Sequence, residues 1–171
     1  MPERSAGAFP RAGRLRKPEQ FAAVAGERAT WRAARQLLAA SARVQALTQK
    51  DRLAAEGASG DSVDRSVSMD LRSVARKPEA EPVRFGFTVG RRQARRAVQR
   101  TLVKRVLREA VRNAASTLRS LAADRTVDVV LRLRSPLPGP GEMSQAQLKR
   151  SLRNEADSLI TQLARHLRSD N

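Results

Sequence analysis

Between Val83 and Val89 apolar and polar positions alternate. Phe85, Phe87 and Val89 share one side and Arg84, Gly86 and Thr88 the other, the period-two mark of a strand. After Gly90 the period becomes helical. From Thr101 onward, at about 100° per residue, Leu102, Val103, Val106, Leu107, Ala110, Val111, Ala114 and Leu118 gather on one side of a helix. Lys104, Arg105, Arg108, Arg112 and Arg119 fall within an arc of about 100° on the other side. Thr126 to Arg134 alternates again, with Val127, Val129, Leu131 and Leu133 on one face. A Pro/Gly loop, SPLPGPGE, follows, and Ser144 with Gln147 forms a capping-box signature. The last helix stacks Leu148, Leu152, Leu159, Ile160 and Leu163.

The N-terminal half is less regular. Pro2, Gly7, Pro10 and Gly13 predict an extended arm over 1–13. A short helix enters at Pro18, suited to a first helical turn, buries Phe21 and Val24, and ends at Gly26. Residues 29–46, ATWRAARQLLAASARVQA, are ambiguous: alanine favours helix, and a strand there needs tertiary support. Residues 47–82 hold six basic and seven acidic residues and no aromatic; such a stretch buries too little apolar surface to offset ordering, and reads as a mobile insert. The chain thus divides into an arm (1–13), one α/β domain (14–46 and 83–168), the insert (47–82) and a tail (169–171). Mixed elements around strand–helix–strand connections predict a two-layer α/β sandwich with its strand order open.

Charge changes the picture. The chain of 171 residues carries a net +17, and Phe85 to Arg112 alone holds eight arginines and Lys104 against the single acid Glu109. Charge so dense repels itself, and a compact protein tolerates it most easily beside a polyanion. Solubility is better served by Asp and Glu, so the balance points to a phosphate-rich partner. The core is alanine- and leucine-rich, its aromatics limited to Phe9, Phe21, Trp31, Phe85 and Phe87, which predicts modest burial. The absence of cysteine agrees with a reducing cytoplasm. The N-terminus lacks a signal-peptide apolar run, and no stretch approaches the roughly 18 apolar residues of a membrane span. A cytoplasmic chain without a membrane partner is expected.

Protein-based catalysis is poorly supported. The single histidine, His166, sits among arginines and leucines near the C-terminus, no His/Cys cluster offers a metal site, and no P-loop glycine pattern is present. Nucleic-acid binding is better supported: arginine, whose planar fork grips phosphate in bidentate fashion, dominates the basic helix, and Arg91–Arg92 and Arg95–Arg96 crowd the strand–helix junction. Aromatics alternating on a strand, as Phe85 and Phe87 do, are more often core than base-stacking platforms.

The run Phe-Gly-Phe-Thr-Val, two basic pairs, then Lys-Arg-x-x-Arg-Glu (Phe85 to Arg112), together with FPRAGRLRKPEQF (Phe9 to Phe21), resembles the protein subunit of bacterial ribonuclease P over about three quarters of the chain. The resemblance implies one α/β sandwich with a left-handed βαβ crossover, of the kind in the second domain of ribosomal protein S5. It implies binding to a catalytic RNA and to the 5′ leader of precursor tRNA, the RNA with Mg²⁺ performing the hydrolysis, with no obligate protein partner. Carried over by position, Arg91, Arg92, Arg95, Arg96, Arg100, Lys104, Arg105, Arg108 and Arg112 contact RNA; Phe21, Phe85, Phe87 and Arg14 line or support the leader cleft. Two features depart from the family pattern: its Arg-Asn-Arg triplet is Arg100-Thr101-Leu102 here, and the second aromatic of the first helix is Ala25. Each charged hydrogen bond missing from the triplet predicts looser RNA binding by about 1 to 3 kcal/mol, and Ala25 predicts weaker stacking on the leader. Two other readings are a general RNA chaperone or ribosome-associated protein, and a basic amphipathic helix on an anionic membrane, against which the lack of Trp and Phe on that helix counts.

Overall fold

A computed structural model describes residues 12–25, 29–46, 81–122, 125–139 and 141–170. Strand β4 (Arg125–Leu133) is central. It pairs antiparallel along its whole length with β2 (Leu38–Ala46) and parallel with β3 (Val83–Thr88), and β2 pairs antiparallel with β1 (Trp31–Ala34), giving the order β1-β2-β4-β3. Parallel neighbours need a crossover; helix α2 (Ala97–Ala122) supplies it between β3 and β4. Helix α3 (Gln145–Ser169) packs beside α2 on the same face of the sheet, and this layer pair is the expected sandwich. The short helix α1 (Pro18–Ala25) lies against β2 and β4 on the opposite face.

Two clusters of buried side chains follow from the pleat, which sends successive residues to opposite faces. Leu38, Ala40, Ala42, Val83, Phe85, Val127, Val129, Leu131 and Leu133 meet α2 and α3 in the main core. The helices answer with Val103, Val106, Leu107, Ala110 and Leu118 from α2 and Leu148, Leu152, Leu159, Ile160 and Leu163 from α3, the seams expected from periodicity. On the other face Leu15, Val24 and Val130 form a small second cluster under Phe21.

Local chemistry sets the boundaries. Pro18 opens α1, and the Gln20 Oε1 accepts from the backbone N–H groups of Arg16 and Lys17, satisfying donors that a helix start leaves open. The Ser144–Gln147 capping box is formed in both directions. β3 would be a bare edge, but residues 13–15 run beside it: Leu15 N–H donates to Phe85 O at 2.9 Å and Phe85 N–H to Gly13 O at 2.8 Å. That short pairing covers an edge that would otherwise invite another chain.

Residues 29–46 resolve as the β1–β2 hairpin, against the helical preference of their alanines. Nine residues of β2 find ladder partners on β4, and the Glu155 carboxylate of α3 accepts from the N–H groups of Leu37 and Leu38 at the hairpin turn; tertiary pairing overrides propensity. Helix α2 begins at Ala97, before the Thr101 from which its seam is readable. The arm and the insert lie outside the described residues except at their inner ends. There, Glu81 pairs with Arg119 at 2.8 Å and Pro82 O accepts from Val127 N–H at 2.7 Å, so the last two residues of the expected mobile insert belong to the fold. Gly26 also lies outside the described residues; α1 runs to Ala25. Among the described residues no helix is long and apolar enough to cross a membrane.

Candidate nucleic-acid interface

Two basic surfaces lie on opposite sides of the sheet. The first is the β3–α2 junction continued along α2. Arg91 and Arg92 sit in a turn, Arg95 and Arg96 just before the helix, and all four are exposed. The turn is anchored from below: Ala94, 1% exposed, donates its N–H to Gly90 O at 3.1 Å, and Leu137 N–H donates to Gln93 O at 2.9 Å. Arg100 closes it from the helix side, its Nη1 donating to the carbonyls of Ala94 (3.1 Å) and Arg95 (2.7 Å). Arg100, expected as an RNA contact, therefore also braces the loop that presents its neighbours.

Along α2, Arg105, Arg108 and Arg112 are exposed and Lys104 is half-buried. Spacings of three and four residues place like charges side by side, which is destabilising in isolation. Among the described residues none of these cations, nor Arg91, Arg92, Arg95 or Arg96, forms an ion pair. The acids are engaged elsewhere: Asp128 with Arg84, Glu81 with Arg119, Glu109 and Asp157 with Arg153, Glu155 with backbone. Arg119, which the helical wheel groups with the basic arc, is thereby withdrawn from it. The cations that the sequence marks on this surface thus come together on one presented face with their charge uncompensated.

The second surface is the sheet face under α1. The Phe21 ring lies directly over Gly86, where any Cβ would overlap it, and beside Leu15. Beyond α1 the strands are open, and the register places Arg32, Ser41, Val130 and Gly86 in one row across them, Ala34, Ala39, Arg132 and Thr88 in the next, and Arg43, Asp128 and Arg84 in a third. Asp128, 7% exposed, holds Arg84 through two 2.7 Å hydrogen bonds. The result is a groove walled by an aromatic ring, floored by small side chains and rimmed by guanidinium groups, which suits a single strand with stacked bases and a phosphate backbone.

Of the four residues expected in this cleft, Phe21 alone faces it. Phe85, 2% exposed, is in the main core, and Phe87 packs against that core from the same side of β3; the pleat turns both toward α2, so they back the sheet instead of lining the groove. Arg14 bridges Phe85 in register. The next residue, Leu15, belongs to the α1 cluster, so alternation turns the half-buried Arg14 toward the helix side. Conversely, Arg32, Arg43 and Arg132 rim the groove although the sequence does not single them out. Arg132 is readable as the polar alternate of Leu131 and Leu133; Arg32 and Arg43 are hidden in the ambiguous 29–46 stretch.

Among the described residues no three His, Cys, Asp or Glu side chains cluster to hold a metal ion. His166 stacks on Trp31 with ring centroids 6.4 Å apart, its Nε2 3.4 Å from Asp170, a packing role between the last turns of α3 and β1.

The chain is similar to the ribonuclease P protein component of Bordetella avium (strain 197N), 38% identical over 82 residues. That match spans 48% of this chain and 61% of the relative, so about three fifths of the curated relative's length is covered. The structure of the Staphylococcus aureus RNase P protein aligns with a TM-score of 0.50 over 88% of this chain and 94% of its own, at 14% identity, a likeness of fold. The model of the family described as Ribonuclease P matches residues 9–160. With most of its length so matched, the chain belongs to the Ribonuclease P family.

Proposed function

We propose that the chain is the protein subunit of a ribonucleoprotein endonuclease that removes the 5′ leader from precursor tRNA. The observation that carries this reading is the junction-and-α2 surface, where the cations from Arg91 to Arg112 form no ion pair among the described residues; family membership supplies the class of partner. In this reading α2 and the junction seat a catalytic RNA, and the groove under Phe21 takes the single-stranded leader. In the same reading hydrolysis and its Mg²⁺ belong to the RNA. What the polypeptide contributes is charge: guanidinium groups placed between two polyanions lower their mutual repulsion, which otherwise needs divalent cations to screen.

Adding the protein to the catalytic RNA is therefore expected to lower the Mg²⁺ concentration at which a leader-bearing precursor is cleaved. Cleavage at low Mg²⁺ that is equal with and without the protein would overturn the reading. Replacing both Arg105 and Arg108 by alanine is expected to weaken binding to the RNA and to shallow its salt dependence by about 0.7 to 0.9 for each phosphate no longer neutralised.

A further inference from the structure

The basic surface does not stop at α2. A groove of about 340 Å³ runs between α2 and the first turns of α3, lined by Val106 and Glu109 on one side and Ala146, Lys149, Arg150 and Arg153 on the other. Its cations are in different states. Arg153 is held, with Nη1 3.5 Å from Glu109 and Nε 2.8 Å from Asp157. Lys149 and Arg150 are exposed and form no ion pair among the described residues. On the α2 side Arg105 and Arg112 stand one turn before and one turn after Glu109, so the uncompensated cations of α2 border the groove. Its accessible apolar surface is Ala146, which is exposed, over the buried Val106. The loop leading into α3 is tied to the junction turn by the Leu137–Gln93 backbone hydrogen bond, which keeps this groove and the junction arginines in one fixed arrangement.

We infer that the α2–α3 groove is a second seat for the sugar–phosphate backbone of the partner RNA, continuous with the α2 face. Lys149 and Arg150 take phosphates, Arg153 is kept in place by its two carboxylates as the wall, and sugar edges rest on Ala146. A nucleic-acid strand fits because its charge recurs at every residue, as the cations do from Arg105 across to Arg150, while its sugars offer apolar edges between phosphates. This inference rests on the RNA-binding reading above.

The chain contains no cysteine, so Ala146→Cys gives a unique, exposed attachment point for an iron chelate that generates hydroxyl radicals. In the complex with the catalytic RNA, cleavage is expected at a discrete set of nucleotides from position 146 and not from Arg168→Cys at the far end of α3. In parallel, the double variant Lys149→Ala/Arg150→Ala is expected to shallow the salt dependence of RNA binding by about 1.4 to 1.8. If the complex forms but position 146 cuts no more than position 168, or if the salt dependence of the double variant is unchanged, the groove is not a seat for RNA. Failure of the parent reading looks different: the unmodified protein would then not bind the RNA, or Arg105→Ala/Arg108→Ala would bind as well as it does.

Discussion

The two faces of the sheet are made from the same four strands and hold opposite chemistries. Toward α2 and α3 the strands present Leu38, Ala42, Phe85, Val127, Val129 and Leu131, each 2% exposed or less. Toward α1 they present Arg32, Arg43, Arg84 and Arg132 with small residues between them. A helix of eight residues covers only part of that second face. A sheet face left open beside guanidinium groups is costly to the fold alone, since it forgoes the burial that a fuller layer would supply. The difference teaches that the main core is drawn from one side of the sheet while the other is left largely open, and that a residue's surroundings are decided by which way the pleat turns it.

Phenylalanine offers the sharpest way to break this comparison. Phe85→Ala removes a ring from the sealed face and is expected to destabilise the protein by about 3 to 5 kcal/mol, read as a lowered denaturant midpoint. Where the variant is still folded, its effect on cleavage is expected to be the same for long-leader and leaderless precursors. Phe21 is only half-buried, so Phe21→Ala is expected to cost less stability and to impair long-leader substrates selectively. A leader-selective defect in Phe85→Ala, or an unselective one in Phe21→Ala, would reverse the assignment of the two faces.

How much of this can be read in advance depends on the range of the interaction. The seam of α2, the alternation of β4 and the Ser144 cap rest on neighbours within a few residues and are legible. The β1–β2 hairpin is not, because β2 is held by a ladder to β4 and by Glu155 of α3, partners distant in sequence, while the local alanines argue for helix. The junction and α2 arginines are legible as a set because no acid but Glu109 lies among them. The groove is legible only at Phe21. Alternation correctly groups Phe85 with Phe87, yet nothing local says which side of β3 faces the thicker layer, and Arg14 shares that uncertainty of direction through its register with Phe85.

Gly86 is the point where the two faces come closest to trading roles. It lies on β3 between Phe85 and Phe87, and its missing side chain is what lets the Phe21 ring rest on the strand. Gly86→Ala puts a methyl group into that ring. Because Leu15 crowds the same spot, the ring must shift outward, and overpacking of this kind costs about 1 to 3 kcal/mol. The expected outcome is a modest loss of stability together with a leader-selective defect resembling that of Phe21→Ala. Loss of stability with leader dependence intact would mean that the seating of the ring does not matter to recognition.

The smallest structural effect is expected at the rim. Arg132 is exposed and sits in register between Ala39 and Thr88, so Arg132→Gln keeps most of the stem, breaks no ion pair among the described residues, and should change stability by no more than about 0.5 kcal/mol. Its effect on binding is nevertheless separable from that of the α2 arginines. Neutralising one single-stranded phosphate contributes roughly 0.7 to the salt dependence, and a leaderless precursor lacks that phosphate. The difference in salt dependence between leader-bearing and leaderless substrates is therefore expected to shrink by about 0.7 in Arg132→Gln and to be unaltered in Arg105→Ala/Arg108→Ala, whose loss falls on both substrates alike. If the α2 pair narrows that difference as much as Arg132→Gln does, the two basic surfaces are not divided between catalytic RNA and leader but serve a single strand that passes around the β3 edge.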